Sequence, residues 1–192
     1  MKPQIVSTAN PYINNILLTL GRTQKTEADW LILAHNDPQL LARLNGAFPD
    51  KKLAMLPLPQ NCWHSNNKIM AEVVAWAIRE LNVKGVLLVG HSQGGAPKEK
   101  IWPAIRNQTR RLSASSSFIE RITNAQVQVA HAQAHFMEQA ESLSRTVAIE
   151  NQLTQKQTSF YGLFYRGESD AFFAYDRRQR SFKPLTSETT VA

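Results

Sequence analysis

The chain has 192 residues, a length that suits a single domain or a domain with an arm, and its 43% of apolar residues predict a globular core. The net charge of +7 permits a polyanionic partner, and no apolar run approaches the roughly 18 residues of a membrane span. The single cysteine, Cys62, excludes an intramolecular disulfide and any zinc site built from several thiolates.

The N-terminal part of the chain predicts an arm that leads into a strand and a helix. Its start, Met1-Lys2-Pro3-Gln4, lacks an apolar signal core, so we expect cytoplasmic residence and no membrane partner. Residues 1–28 are polar around one short apolar stretch and predict a helical arm. The apolar run Trp30–Ala34 predicts a buried parallel strand, and residues 38–45 predict a short helix with Asp37 as its N-cap.

The middle of the chain continues this alternation of strands and helices. Leu53–Leu56 predicts a second short strand, residues 68–81 predict an amphipathic helix, and Val83–Val89 predicts a third buried strand. The apolar face of the helix comprises Ile69, Met70, Val73, Val74, Ala77, Ile78 and Leu81. The segment Gly90-His91-Ser92-Gln93-Gly94-Gly95 then predicts a turn at the carboxyl end of the third strand.

The C-terminal part of the chain predicts a long helix followed by a hairpin. Residues 98–117 form a basic, serine-rich connection, and residues 118–149 carry a long helical pattern. Phe160–Tyr165 and Ala171–Asp176 flank the polar turn Gly167–Asp170 and predict a β-hairpin. The aromatic residues of this hairpin suit either core packing or an oligomer interface, and both interpretations remain open.

The order of these elements predicts the fold class. Strand–helix–strand alternation indicates an α/β domain over residues 29–185, with a mainly parallel central sheet flanked by helices and a C-terminal antiparallel hairpin. The last residues, 186–192, are expected to form a flexible C-terminus.

The basic residues do not identify a partner. They gather in two small clusters, between Lys98 and Arg111 and between Arg177 and Lys183, without a recognition-helix motif, an aromatic RNA-binding strand or a zinc finger. We therefore expect a solvated or interface-lining basic face, and nucleic acid is not an expected partner.

The turn after the third strand allows two interpretations, of which the first is a nucleophile elbow. Gly90-His91-Ser92-Gln93-Gly94 satisfies G-x-S-x-G, the serine hydrolase motif in which flanking glycines let a sharp turn expose the serine. In that fold an acid and then a histidine follow the serine along the chain. The histidines after Ser92 are His131 and His135, and the acids between lie too early in the chain. A serine hydrolase is therefore the alternative rather than the preferred function.

The second interpretation covers most of the chain. One strand ends in His35-Asn36-Asp37-Pro38-Gln39, with Gly46-Ala47-Phe48-Pro49 after it, and a later strand ends in Gly90–Gly95. Tyr161-Gly162-Leu163-Phe164-Tyr165 then opens the hairpin. In the order and spacing of these segments, residues 28–185 resemble the β-class carbonic anhydrases. The corresponding motifs of that family are C-x-D-x-R, Gly-x-x-Pro, G-H-x-x-C-G-G and a late strand of the pattern hydrophobic–Gly–aromatic–x–Tyr. The resemblance implies an α/β fold of that type for residues 29–185 and a homodimer or higher homo-oligomer.

The departures from that family fall on its zinc site. The resemblance implies two cysteine thiolates and one histidine as zinc ligands, beside an Asp–Arg pair. This chain keeps the histidine as His91 but has Gly94 at the second cysteine position. The lone Cys62 lies in neither motif. The resemblance therefore leaves only one of three zinc ligands in place.

The first motif can be aligned in two ways, and both remain open. Anchored on Asp37, the alignment places His35 at the first cysteine position and Gln39 at the arginine position. Anchored on the glycine turn that follows, it places Ala34 at the cysteine position and Asn36 at the aspartate position. Either alignment loses the thiolate and the arginine.

These losses predict a degenerate protein of this type. Zinc needs three firm protein ligands to bring the pKa of its bound water near neutrality, and one histidine cannot supply them. We therefore expect no cofactor and no zinc-dependent CO2 hydration, but a binding or assembly protein, with another protein as a conceivable partner. A small anion could instead bind at the vestigial pocket, where His91, Ser92 and the backbone N–H groups of Gly94 and Gly95 could donate hydrogen bonds to it at a helix N-terminus. The pocket residues are His35, Asp37, Gln39, His91, Ser92, Gly94 and Gly95.

A rewired metal site is the remaining alternative. His35, Asp37 and His91 would lie at the carboxyl ends of neighbouring strands, where they could hold zinc or another divalent metal with an open position. The protein would then be a metalloenzyme, a carbonic anhydrase or a related hydrolytic lyase. His131 and His135 share a helix face but lack an acidic third ligand, so a packed or solvated face is expected there.

Overall fold

The computed structural model describes residues 27–58, 62–64, 66–93 and 118–185, and of residues 118–124 the backbone alone. Its strands are β1 (Trp30–Ala34), β2 (Leu53–Pro57), β3 (Gly85–His91), β4 (Ser159–Arg166), β5 (Ala171–Asp176) and β6 (Ser181–Pro184). Its helices are α1 (Pro38–Ala47), α2 (Lys68–Glu80), α3 (Phe118–Ser144) and α4 (Val147–Gln155). The expected N-terminal arm (apart from its last two residues), the serine-rich connection and the expected flexible C-terminus lie outside the described residues.

These strands form one sheet in the order β2-β1-β3-β4-β5-β6. β1 pairs in parallel with β2 and with β3, so that Ile32 lies opposite Met55 on one side and Leu87 on the other. β5 runs antiparallel to β4 and to β6. The predicted fold class is confirmed: an α/β fold with a mainly parallel sheet, flanking helices and C-terminal antiparallel strands. β6 was not predicted, and it extends the hairpin to three strands.

The described residues group into two compact units. The first contains the residues up to Val89 together with Ala140–Tyr161. Its core is aliphatic, and α2 packs against α4 within it. The fully buried side chains of this core include Leu31, Ile32, Leu33, Leu40, Leu44, Leu56, Met70 and Ile78. Removal of such side chains from water is the main source of folding free energy.

The second unit contains the described residues between Gly90 and Gln139 and those from Gly162 onward, and its core is aromatic. Phe136 of α3 and Phe164 of β4 are fully buried. Together with Tyr175 and Phe182 they form a cluster whose ring centroids lie between 5.2 and 5.9 Å apart, mostly in tilted or edge-to-face pairs. This cluster joins α3 to the antiparallel strands.

Polar caps define where the first helices begin. Asp37 accepts hydrogen bonds from the backbone N–H groups of Gln39 at 2.8 Å and Leu40 at 3.2 Å, which confirms the predicted N-cap of α1. Asn67 caps α2 in the same way, since its side chain accepts from the N–H of Met70 at 3.0 Å. Both helices therefore start at the residues that satisfy their first free N–H groups.

Three sequence predictions need correction. The turn expected at 90–95 starts later, because β3 continues through His91 and the N–H of Ser92 still donates to the Tyr165 carbonyl. The long helix expected over 118–149 breaks after Ser144, where the hydroxyl of Thr146 bonds to a carbonyl of the preceding turn and its backbone is extended. Ile69 was expected on the buried face of the helix, but its side chain is 58% exposed. Helical periodicity predicts which residues share a face, and it does not predict whether another element covers the first turn of that face.

None of the helices in the described part of the chain has the length and apolar character that a bilayer crossing requires.

Candidate functional site

The carboxyl end of β3 is built around a close approach of backbone to aromatic rings. A β-carbon at Gly90 would collide with the ring of Phe136 and lie 3.0 Å from that of Phe164. Glycine is therefore the residue that lets β3 pass these rings. The two residues that follow, His91 and Ser92, are 8% and 6% exposed.

Ser92 is held by hydrogen bonds to the turn between β4 and β5. Its N–H donates to the Tyr165 carbonyl at 2.9 Å. Its hydroxyl donates to Glu168 Oε2 at 2.9 Å and accepts from the Gly167 N–H at 3.1 Å. We call the contacts of Ser92 with Gly167 and Glu168 the Ser92 clamp. The clamp uses both the donor and an acceptor site of the hydroxyl to fix the turn against the end of β3.

His91 lies beside this clamp. Its Nδ1 accepts from the Gln93 N–H at 3.0 Å, so the neutral imidazole carries its proton on Nε2. Its ring packs on Tyr165 with centroids 5.2 Å apart, and the Tyr165 hydroxyl donates to Asp170 Oδ1 at 2.7 Å. A β-carbon at Gly167 would lie 3.5 Å from His91 Nε2 and 3.3 Å from Gln93 Nε2, so the turn backbone comes close to the imidazole.

The other residues of the predicted pocket lie in the first unit or outside the described residues. His35 directly follows β1 and is 6% exposed. The side chain of Asp37 caps α1, and the side chain of Gln39 is exposed. Gly94 and Gly95 lie outside the described residues. Of the predicted set, the structure thus joins His91 and Ser92 to one another and to the β4–β5 turn.

The donor groups do not fit the zinc site that the resemblance implies. Among the described residues, His35, Asp37 and His91 included, no three His, Cys, Asp or Glu side chains form a group that could hold a metal ion. The sole cysteine, Cys62, lies 4% exposed before α2, with its thiol 3.8 Å from the Trp63 carbonyl. The rewired metal site therefore stays a hypothesis, with no ligand group for it in the described part of the chain.

The paired histidines of α3 occupy a helix face of mixed exposure. His131 is exposed and His135 is partly buried, which agrees with the expected packed or solvated face. Neither belongs to a metal-binding group within the described ranges.

Sequence reasoning missed Glu168 and Gly167 as partners of Ser92. The polar turn Gly167–Asp170 was predicted, and turn residues between two strands carry no signal for a distant contact. The bond from Ser92 to Glu168 joins positions 76 residues apart, so only the pairing of strands brings them together.

The fold of this chain was compared with those of known proteins. No family model and no curated protein matches the chain. Among solved structures, the β-carbonic anhydrase CcaA has 19% identity to the chain, a TM-score of 0.58 and coverage of 90% of each chain. The β-carbonic anhydrase CafA of Aspergillus fumigatus has 16% identity and a TM-score of 0.56, over 85% of this chain and 82% of its own. A tetrameric β-carbonic anhydrase from Sordaria macrospora has 15% identity and a TM-score of 0.51, over 92% and 89%.

These likenesses define the class of protein by its fold. The chain has the β-carbonic anhydrase fold over most of its length, and it spans most of the length of each of these structures. At such identities the likeness concerns the fold and not the chemistry of the site.

Proposed function

We propose that this chain is a degenerate β-carbonic anhydrase, one that does not hydrate CO2 with zinc and acts as a binding or assembly protein. The observation that carries the proposal is the donor set at the end of β3. His91 is present, but the chain has one cysteine in all, and it lies elsewhere. This chain therefore cannot supply the two thiolates and one histidine of such a zinc site.

The Ser92 clamp supports the same proposal. A catalytic zinc site keeps an open position for water or substrate. At the end of β3, the Ser92 hydroxyl instead ties the β4–β5 turn to the strand, and Gly167 brings the turn backbone close to His91 Nε2. The hydrogen bonds of this region serve to hold two segments of the chain together.

The test is metal content and CO2 hydration measured on one sample. The full chain is expressed with added zinc, its metals are quantified by elemental analysis, and hydration is followed by stopped flow. We expect a rate at the uncatalysed background and well below one equivalent of zinc. A β-carbonic anhydrase with both cysteines, prepared in parallel, serves as the positive control.

A hydration rate far above background would overturn the proposal. His91→Ala shows the origin of any activity or metal, because loss of both in this variant would support the rewired site of His35, Asp37 and His91. The small-anion alternative depends partly on the N–H groups of Gly94 and Gly95, and it remains a prediction.

We further propose that the chain forms a homodimer or a larger homo-oligomer. The Sordaria macrospora structure of the same fold is described as tetrameric. In this chain the side chains of β5, including Phe172 and Tyr175, are all only partly buried, which suits further burial in an assembly. Sedimentation velocity at micromolar protein should show a species of at least twice the 21.6 kDa chain mass. A single monomer boundary would contradict this.

A serine hydrolase is the second candidate, because Ser92 does contact a carboxylate. The hydroxyl is bonded directly to Glu168, however, whereas a serine nucleophile is normally activated by a histidine. We expect no reaction with a fluorophosphonate probe. Labelling that disappears in Ser92→Ala would favour the hydrolase over the binding protein.

A further inference from the structure

The turn between β5 and β6 concentrates positive charge on one exposed point of the fold. Its residues are Arg177, Arg178, Gln179 and Arg180, and all of them are exposed. We call residues 177–180 the arginine tip. The next cation along the chain is Lys183, which lies in β6, three residues after Arg180.

The nearby carboxylate, Asp176, is bonded to the backbone of the turn and to Lys183. Asp176 Oδ1 accepts from the backbone N–H groups of Arg178 at 3.0 Å and Gln179 at 3.1 Å, while its Oδ2 pairs with Lys183 at 3.1 Å. The Gln179 N–H and then Lys183 hold the pKa of Asp176 below its usual value, so the carboxylate stays ionised and engaged there. Arg178 and Arg180 form no ion pair within the described part of the chain.

The backbone of the tip is strained at an arginine. Arg180 has φ of 49°, in the left-handed region that residues with a β-carbon adopt at an energetic cost and that glycine adopts freely. Tight hairpin turns usually place glycine or asparagine at such a position. Asn82, Gln157 and Asp170 have similar φ values of 49°, 52° and 47°, so this conformation recurs in the fold, and at Arg180 it has an energetic cost that glycine would remove.

The chemistry of the tip selects a phosphate-bearing partner. Guanidinium groups bind phosphate oxygens through two parallel N–H bonds, which lysine cannot do. The phosphates of a nucleic acid lie along its outer surface, where an exposed turn at the edge of a sheet can reach them without entering a groove. Insertion into a lipid surface would need exposed apolar side chains beside the cations, and the exposed large apolar side chains of the described residues lie elsewhere, at Ile69, Val127, Val147 and Tyr161.

We propose that the arginine tip binds the phosphate backbone of a nucleic acid, without base specificity. From the sequence alone nucleic acid was not an expected partner, since the charges followed no motif. The exposure of the whole turn and the lack of an ion pair of Arg178 or Arg180 with any described residue are the added observations. The proposal does not depend on the absence of zinc chemistry.

The test measures binding of the full chain to a short fluorescein-labelled DNA duplex by anisotropy over a range of salt concentrations. The variant R178Q/R180G removes two cations and the strain together. We expect weaker binding, and a slope of log K against log salt that falls by about 0.9 for each lost phosphate contact. The control K51Q/K68Q removes the same charge from two exposed lysines distant in sequence and should keep the slope of the unchanged protein.

Folding and binding are separated by the single variant R180G. Its melting temperature should rise, because glycine relieves the left-handed strain, while its affinity for the duplex falls. The proposal would be overturned by no binding of the unchanged protein at low salt, by equal weakening in K51Q/K68Q, or by undiminished binding of R180G. Binding to anionic vesicles without binding to the duplex would also overturn it.

Discussion

Ser92 shows how one residue can satisfy a catalytic motif and have a different role in the structure. The local pattern G-x-S-x-G predicts an exposed nucleophile. In the fold, Ser92 is 6% exposed and its hydroxyl both donates to Glu168 and accepts from Gly167. These hydrogen bonds join two segments of the chain, so we expect the replacement of Ser92 to change the stability of the fold.

Ser92→Ala should lower the free energy of unfolding by about 0.5–1.5 kcal/mol, because it removes the hydrogen bonds to the Gly167 N–H and to the exposed Glu168 carboxylate. Glu168→Gln keeps an acceptor at the same place and should cost less. Urea denaturation followed by circular dichroism measures both changes.

Ser169→Ala is the matched control, since Ser169 lies exposed in the same turn, where its backbone N–H bonds to Arg166. Its effect should stay within about 0.5 kcal/mol. Equal effects of the Ser92 and Ser169 substitutions would mean that the clamp contributes nothing to stability.

At the scale of elements, two glycines should respond in opposite ways to the same substitution. Gly90→Ala places a methyl group against Phe136 and Phe164, and should destabilise the fold by about 1–3 kcal/mol. Gly46→Ala lies in α1 with nothing within 4 Å of the new methyl group, and should stabilise it by about 0.5–1 kcal/mol. Thermal melts should show a lower melting temperature for Gly90→Ala and a higher one for Gly46→Ala than for the unchanged protein. A Gly90→Ala protein as stable as Gly46→Ala would disprove the close packing of β3.

Some elements of the fold could be predicted from the sequence more accurately than others. β1 was predicted at its observed bounds, and the cap at Asp37 was identified, because a buried apolar run and a capping residue are local signals. β6 was missed because Ser181–Pro184 is a short edge strand with two apolar residues and no alternation to find. For the site, the sequence singles out His91 and Ser92 as candidates, but their contacts with the β4–β5 turn depend on strand pairing across the chain.

At the scale of the whole molecule, we expect an aspartate at the amino ends of three strands to contribute to the change of stability with pH. Asp29 accepts from the Lys52 N–H at 3.0 Å and from Lys84 Nζ at 2.9 Å, which joins the starts of β1, β2 and β3. The hydrogen bond from the Lys52 N–H and then that from Lys84 lower the pKa of Asp29. A carboxyl group with a lowered folded-state pKa stabilises the fold above its unfolded pKa, and this contribution is lost as pH falls through the folded value.

Asp29→Asn should therefore lower the melting temperature at neutral pH, and the difference from the unchanged protein should shrink below a pH of about 4. Thermal melts across acidic and neutral buffers measure this convergence. Asp50→Asn, at an exposed position, serves as the control and should leave the melting temperature at neutral pH almost unchanged. A gap between Asp29→Asn and the unchanged protein that persists in acid would contradict the linkage.

The lone buried thiol gives this protein an internal reporter of its own opening. Because Cys62 is the only cysteine and is 4% exposed, a thiol reagent can react with the native chain at one place alone, and only when the segment before α2 opens. The rate of modification then measures the frequency of that opening directly, without a label or a mutation. Compared with the global rate of unfolding, it shows whether this segment opens independently or only when the whole fold comes apart.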